Sequence, residues 1–147
     1  MKKIILVSAL MLMTVASFGR SRVSENAKIV ADTIYYAANQ QSVSNASQAS
    51  YYRLLKTQGT GLAKEDVFQD FYMNGNLRAE GGYNFIDLNN DKNTVLNGEV
   101  TTFYSNGKEK LHGKYVNGKS RFDYFMVTRP DGMQEKRPLD EIKSLLQ

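Results

Sequence analysis

The chain has 147 residues, with 19 basic and 15 acidic side chains, one histidine, no cysteine and no tryptophan. Without cysteine there are no disulfide staples, thiolate metal sites or cysteine nucleophiles, and a lone histidine argues against a catalytic triad or a multi-histidine metal centre. Lys2 and Lys3 fall in the first 19 residues, so the remainder carries 17 bases against 15 acids. That near-neutral balance gives no support to a nucleic-acid partner or an anionic membrane surface.

In chain order, Lys2-Lys3, the apolar run Ile4 to Val15 and the small residues Ala16, Ser17 and Gly19 have the organisation of a signal peptide, residues 1–19. The apolar run is short of the ~20 residues that span a bilayer. The expectation is therefore an exported protein, periplasmic or secreted, with no integral membrane segment after leader cleavage; an uncleaved anchor is the alternative. Residues 20–48 read as a polar linker. Thr33-Ile34-Tyr35-Tyr36 favours a short strand, while Ala27, Val30, Ile34 and Ala37 also follow a helical spacing over 27–38. Residues 39–50 are too polar for a core and read as a loop.

From residue 51 the character changes. Thirteen of the fifteen aromatics beyond the leader lie between Tyr51 and Phe125. Among and just after them come Asn74-Gly75, Asn97-Gly98, Asn106-Gly107, Asn117-Gly118 and Asp131-Gly132, dipeptides that supply the positive φ angles of type I′ hairpin turns. From residue 97 onward the spacing leaves no room for crossover helices and predicts an antiparallel meander of short strands.

The same segment repeats. Phe71-Tyr72-Met73-Asn74-Gly75, Gly81 and Tyr83 return as Phe103-Tyr104-Ser105-Asn106-Gly107, Gly113 and Tyr115, 32 residues later, with six of thirteen aligned positions identical. Tyr83 lies 14 residues before Asn97-Gly98 but Tyr115 only 2 before Asn117-Gly118, so the first copy carries a 12-residue insertion over an underlying period of 20. A degenerate third copy runs through Phe122, Tyr124, Phe125 and Asp131-Gly132. Such periodicity indicates stacked supersecondary units sharing one core.

The pattern Phe/Tyr-Tyr-x-Asn-Gly, then Gly-x-Tyr-x-Asn-Gly-Lys, resembles the bacterial variant of the MORN repeat. The resemblance is strongest over 103–119 and covers roughly 49–132. Proteins of this YwqK-like kind are often labelled the antitoxin component of a toxin–antitoxin pair. The resemblance implies a mainly β fold, an elongated open antiparallel sheet of hairpin repeats over 49–132, with no catalytic residues and no cofactor. Beyond it, residues 133–147 are expected to be a tail or a short capping helix, since Leu139, Ile142, Leu145 and Leu146 follow Pro138 at helical spacing.

Adjacent strand residues point to opposite faces, so Phe71 and Phe103 on one face place Tyr72 and Tyr104 on the other, with Tyr83 and Tyr115 extending the row. Together with Arg78, Lys108, Lys110 and Lys114, this row is a candidate surface for a protein partner or a cell-surface glycan. Alternatively, the tyrosines only cover a thin sheet and stabilise cross-strand pairs. In the insertion, Asp87, Asn89, Asp91 and Asn93 place oxygen ligands at every second residue, as a calcium loop begins; Lys92 stands where its glycine belongs and Gly98 where its bidentate glutamate belongs. Asp66, Asp70, Glu80, Glu99 and Asp123 are acids that no spacing pairs, expected to be solvated, and His112, aligned with Glu80, is expected to be exposed. The resulting expectation is a non-enzymatic, exported module that binds or scaffolds a protein. Recognition of a glycan or wall polymer and an antitoxin-like immunity role are the alternatives.

Overall fold

The computed structural model describes residues 21–138 and residue 141. Among the described residues are ten strands: β1 (Lys28–Ile29), β2 (Ile34–Tyr36), β3 (Ser42–Val43), β4 (Tyr51–Gln58), β5 (Glu65–Tyr72), β6 (Leu77–Phe85), β7 (Val95–Phe103), β8 (Glu109–Val116), β9 (Lys119–Thr128) and β10 (Gln134–Pro138). They form one open antiparallel sheet in the order β10-β9-β8-β7-β6-β5-β4-β2-β3, with β1 also paired to β4. The expected meander of hairpins is therefore the architecture. The sheet is wider than its repeats, because β1 to β3 come from the polar N-terminal segment and β10 lies beyond residue 132. Of the helix and the strand that the spacing over 27–38 allows, the chain forms strands, β1 and β2. Of the tail or capping helix expected over 133–147, Gln134–Pro138 instead forms β10, because β9 offers it a free edge to pair with. Beyond it only Glu141 is described, in helical conformation, and the rest of the expected helix lies outside the described residues.

The hairpins follow two designs. Only Asn117-Gly118 has positive φ at both residues, 48° and 76°, as a type I′ turn requires. At Asn74-Gly75, Asn106-Gly107 and Asp131-Gly132 the glycine alone is left-handed. In each, its N–H donates to the carbonyl three residues back: Gly75 to Tyr72, Gly107 to Tyr104 and Gly132 to Arg129. These are three-residue loops, and the Asn or Asp side chain explains them. The Oδ1 atoms of Asn74, Asn106 and Asp131 accept the N–H two residues on, from Asn76, Lys108 and Met133. A residue holding that local bond has no need of the left-handed region. Asn97-Gly98 is not a turn. It lies inside β7, where Gly98 (φ 90°) sits in an irregular stretch and the Asn97 side chain and Leu96 carbonyl accept the N–H groups of Asn117 and Gly118. The neighbouring turn thus rests on this kinked strand.

Register assigns the faces. Arg53, Asp70 and Ala79 are successive partners, as are Leu55, Phe68, Gly81, Val100 and Gly113. This face carries the apolar cluster Leu55, Phe68, Ala79 and Val100, with Ile34, Tyr83, Ile86, Leu96 and Tyr115 packed on it. We call it the arginine face. Gln69, Glu80, Thr101, His112 and Tyr124 form a row on the opposite, glutamate face. Gly81 is required where the core is tightest, since a Cβ there would stand 2.6 Å from the Glu99 carbonyl oxygen. Replacing Gly81 with Ala is expected to cost about 3 kcal/mol, because the obstacle is backbone that cannot rotate away. Gly75→Ala, with open space around it, should cost only about 1 kcal/mol of backbone strain; urea unfolding of the two variants distinguishes the causes.

Candidate functional site

The arginine face is built around one buried cation. Arg53 is on β4 with the inward parity of Tyr51 and Leu55 and is almost fully buried. Its Nε and Nη2 donate to the two Asp70 oxygens at 2.7 and 2.9 Å. Nη1 and Nη2 donate to the two Asp91 oxygens at 2.5 and 3.2 Å, and Nη1 also reaches Thr94 Oγ1 at 3.4 Å. Five N–H donors thus meet five acceptor contacts. The guanidinium lies over the rings of Phe68 and Tyr36, at 4.6 and 5.4 Å from the centroids, and Tyr36 stacks on Tyr51 at 5.2 Å.

Asp91 belongs to the insertion between β6 and β7, which folds over this face. Tyr51 donates its hydroxyl to Asp91, Tyr36 donates to the Asp87 carbonyl, and Asn89 and Asn90 bond the β2–β3 hairpin. Burial works against charge on Arg53, but Asp70 and Asp91 outweigh it and raise its pKa. Burial also opposes charge on Asp91; here Arg53 and the Tyr51 hydroxyl prevail and the pKa is lowered. For Asp70 burial raises the pKa, against Arg53 and Arg78.

The glutamate face holds a different arrangement. Glu80 is only 1% exposed. It lies beside Gln69, whose Nε2 donates to it at 3.0 Å. Its other donors come from the segment that precedes β1. Ser21 Oγ donates to Oε2 at 2.6 Å, and the Arg22 backbone N–H donates to Oε1 at 2.5 Å. Further along this strap, Val23 is 7% exposed and the Ser24 N–H donates to Gln58 Oε1. The Arg22 guanidinium is 3.6 Å from Glu99, with both side chains about half exposed. A groove of about 340 Å³ runs beside the strap, lined by Val67, Glu80, Gly82, Glu99 and Thr101 among others. Gly82, opposite Val67 on this face, marks a close approach of backbone, since a Cβ there would stand 2.2 Å from the Asn97 carbonyl oxygen.

The row continues beyond the groove. Thr101 Oγ1 lies 3.1 Å from His112 Nδ1, and His112 Nε2 is 3.0 Å from Glu99. Thr101 is 3% exposed, so this hydroxyl–imidazole–carboxylate line acts as a cross-strand polar ladder. His112, expected at the surface, is buried, and so are Asp70 and Glu80, expected to be solvated. Each is buried because neighbours supply its partners: guanidinium groups for Asp70, donors from Gln69 and the strap for Glu80, and Thr101 with Glu99 for His112.

The tyrosine row is largely committed to the sheet. Tyr72 donates its hydroxyl to the Phe103 carbonyl and Tyr104 to the Met126 carbonyl, both at 2.8 Å, so equivalent residues of the two copies make equivalent bonds. Tyr83 and Tyr115 pack against the apolar cluster, where burial pushes their phenols up. Arg78 donates to Asp70 and lies over the Tyr51 ring, whereas Lys114 is exposed on the glutamate face, opposite Glu99. In the insertion, Asp87 accepts the N–H groups of Asn89 and Asn90 and the Asn93 amide, and Asp91 is held by Arg53. Among the described residues no three His, Cys, Asp or Glu side chains gather as a metal site requires, and no helix is long and apolar enough to cross a membrane.

Reading each residue by type alone misses the groove, since Glu80 looks like any other strand acid. Its parity with Gln69 and Thr101 is the signal that marks it. No family model, curated protein or solved structure matches the chain.

Three outcomes follow from this geometry. Arg53→Met leaves Asp70 buried without its bidentate partner and should cost about 3–5 kcal/mol in denaturant unfolding. Burial pushes Tyr36 up to about 12. Its neutral form is thus favoured in the fold, so this contribution is complete below about pH 10 and is lost as pH rises toward 12; phenolate absorbance and circular dichroism should change together in that range. Because Asp91 is occupied by Arg53, millimolar calcium should leave the melting temperature unchanged; a rise of several degrees would restore the insertion as a calcium site.

Proposed function

We propose that this chain is an exported, non-enzymatic β-repeat module of the MORN-variant kind, whose task is to hold an extended segment of a partner protein. The observation that supports this reading most directly is the strap on the glutamate face. There the sheet already holds an extended segment through a buried carboxylate, a glutamine and a shallow hollow. Peptide-binding sites use the same means: backbone N–H groups are captured by fixed acceptors and one side chain enters a recess. The open sheet supports a rigid platform, because its tyrosine hydroxyls are bonded to backbone two strands away and hold the hairpins in line. Binding on the glutamate face replaces the tyrosine row as the contact surface, since a committed hydroxyl is a poor handle for a partner.

Screening the exported chain in parallel against a displayed peptide library and a glycan array tests this function. Enrichment of peptides without glycan signal is expected. Glycan binding alone would overturn the protein-binding reading in favour of a wall-polymer ligand.

A further inference from the structure

Two buried carboxylates can be compared. Asp70 and Glu80 are both 1% exposed. Asp70 has its charge met from within the sheet, by Arg53 and Arg78. Glu80 receives one donor from the sheet, the Gln69 amide, and the other two from Ser21 and Arg22. A buried carboxylate left with a single amide donor is unfavourable. The strap thus both covers this carboxylate and supplies two of its three donors, so the sheet offers an acceptor site shaped for an extended segment.

That segment is held mainly through side chains. Among the described residues, the only backbone-to-backbone bond within 21–25 is from Ala27 N–H to the Ser24 carbonyl, at the turn into β1. No ladder joins the strap to the strands beneath, so its removal leaves the sheet's own hydrogen bonds intact. The hollow beside it is acidic, with Glu65, Asp66, Glu80 and Glu99 against Lys64, and the strap brings Arg22 to Glu99. The groove thus specifies three features in order: a hydroxyl side chain at Glu80, a basic residue whose N–H reaches Glu80 while its head meets Glu99, and a small apolar residue that lines the hollow together with Val67.

We propose that the Glu80 groove is a receptor for an extended partner segment of the pattern hydroxyl–basic–apolar, and that Ser21-Arg22-Val23 is its occupant in cis. The strap guards the buried carboxylate and competes with the partner. This rests on the reading of the chain as a peptide-holding module and names the surface and the ligand chemistry. The same face with its strap in place is a closed site, and a partner must displace about three residues to enter.

The test uses the exported chain and a fluorescent peptide with the sequence of residues 20–25, Arg-Ser-Arg-Val-Ser-Glu, followed by polarisation. Val23→Asp places a charge in the hollow and ejects the strap, so the peptide should bind this variant at least tenfold tighter than the wild type. Adding Glu80→Gln should remove at least tenfold of that affinity, and a peptide with Glu in place of both arginines should not bind. Circular dichroism confirms that each variant is folded; if Val23→Asp is not, Ser21→Ala with Val23→Ser ejects the strap more gently and takes its place. Equal binding of the peptide and its acidic counterpart to the folded, strap-released chain overturns the proposal. So does a concentration-dependent dimer without peptide binding, which assigns the groove to a second copy. Library peptides whose binding ignores Glu80→Gln would leave the peptide-binding function standing and remove this groove from it.

Discussion

The structure depends on the burial of one guanidinium. An isolated ion in an apolar interior is prohibitively costly, so Arg53 requires that all its donors be met at once. Asp70 is one strand away and arrives by register alone. Asp91 is 38 residues along the chain and arrives only if the insertion folds across the face. The same requirement brings the β2–β3 hairpin in, because the insertion bonds to it while Tyr36 and Tyr51 cover the guanidinium. An element that looks like an interruption of the repeats is therefore the lid of the core. A thin open sheet of this size has few ways to exclude water from one face, and the polar insertion does so by carrying a carboxylate to a waiting cation.

The two faces solve the same problem with different durability. On the arginine face, ion pairs and aromatic rings close the network with residues tied into the sheet or bonded to it. On the glutamate face, a carboxylate buried to the same degree leans on a strap that crosses the strands and joins none of them. Free energy of this kind is local, and segments held by few side-chain contacts open most readily. The repeats align Gln69 with Thr101 and Glu80 with His112, so the polar row is a property of the array. The copies differ beside it: the first has Gly82, where the Asn97 backbone passes too close for a side chain, and the second has Lys114.

Much of the architecture is legible along the chain. The Asn-Gly and Asp-Gly spacing, the Phe-Tyr pairs and the Gly-x-Tyr steps foretell a meander without helical crossovers, because local backbone preferences act within a few residues. The same signals fail where a long-range partner intervenes. Asn97-Gly98 has turn chemistry but lies within a strand, where its side chain receives the backbone of the next hairpin. Ser42-Val43 is too polar to announce a strand, yet forms one because Tyr35 and Asn89 flank it. The candidate site is less legible in the chain. Tyrosines carry the same symbol whether their hydroxyls face solvent or a carbonyl two strands away, and burial of Glu80 depends on a segment 59 residues distant.

By itself, then, the sequence determined the β class, the order and antiparallel sense of the repeats, and four of the five glycine turns it signalled. Those properties come from alternation and φ preference, which need no knowledge of distant residues. Tertiary structure alone decided which polar groups are buried. Arg53, Asp70, Glu80 and His112 have no local preference for the interior; each is there because the fold delivers donors or acceptors to it. It also decided that the insertion is a lid and that residues 21–25 form a strap. Charge and hydrogen-bond satisfaction are collective, and only the assembled sheet supplies the neighbours that make burial tolerable.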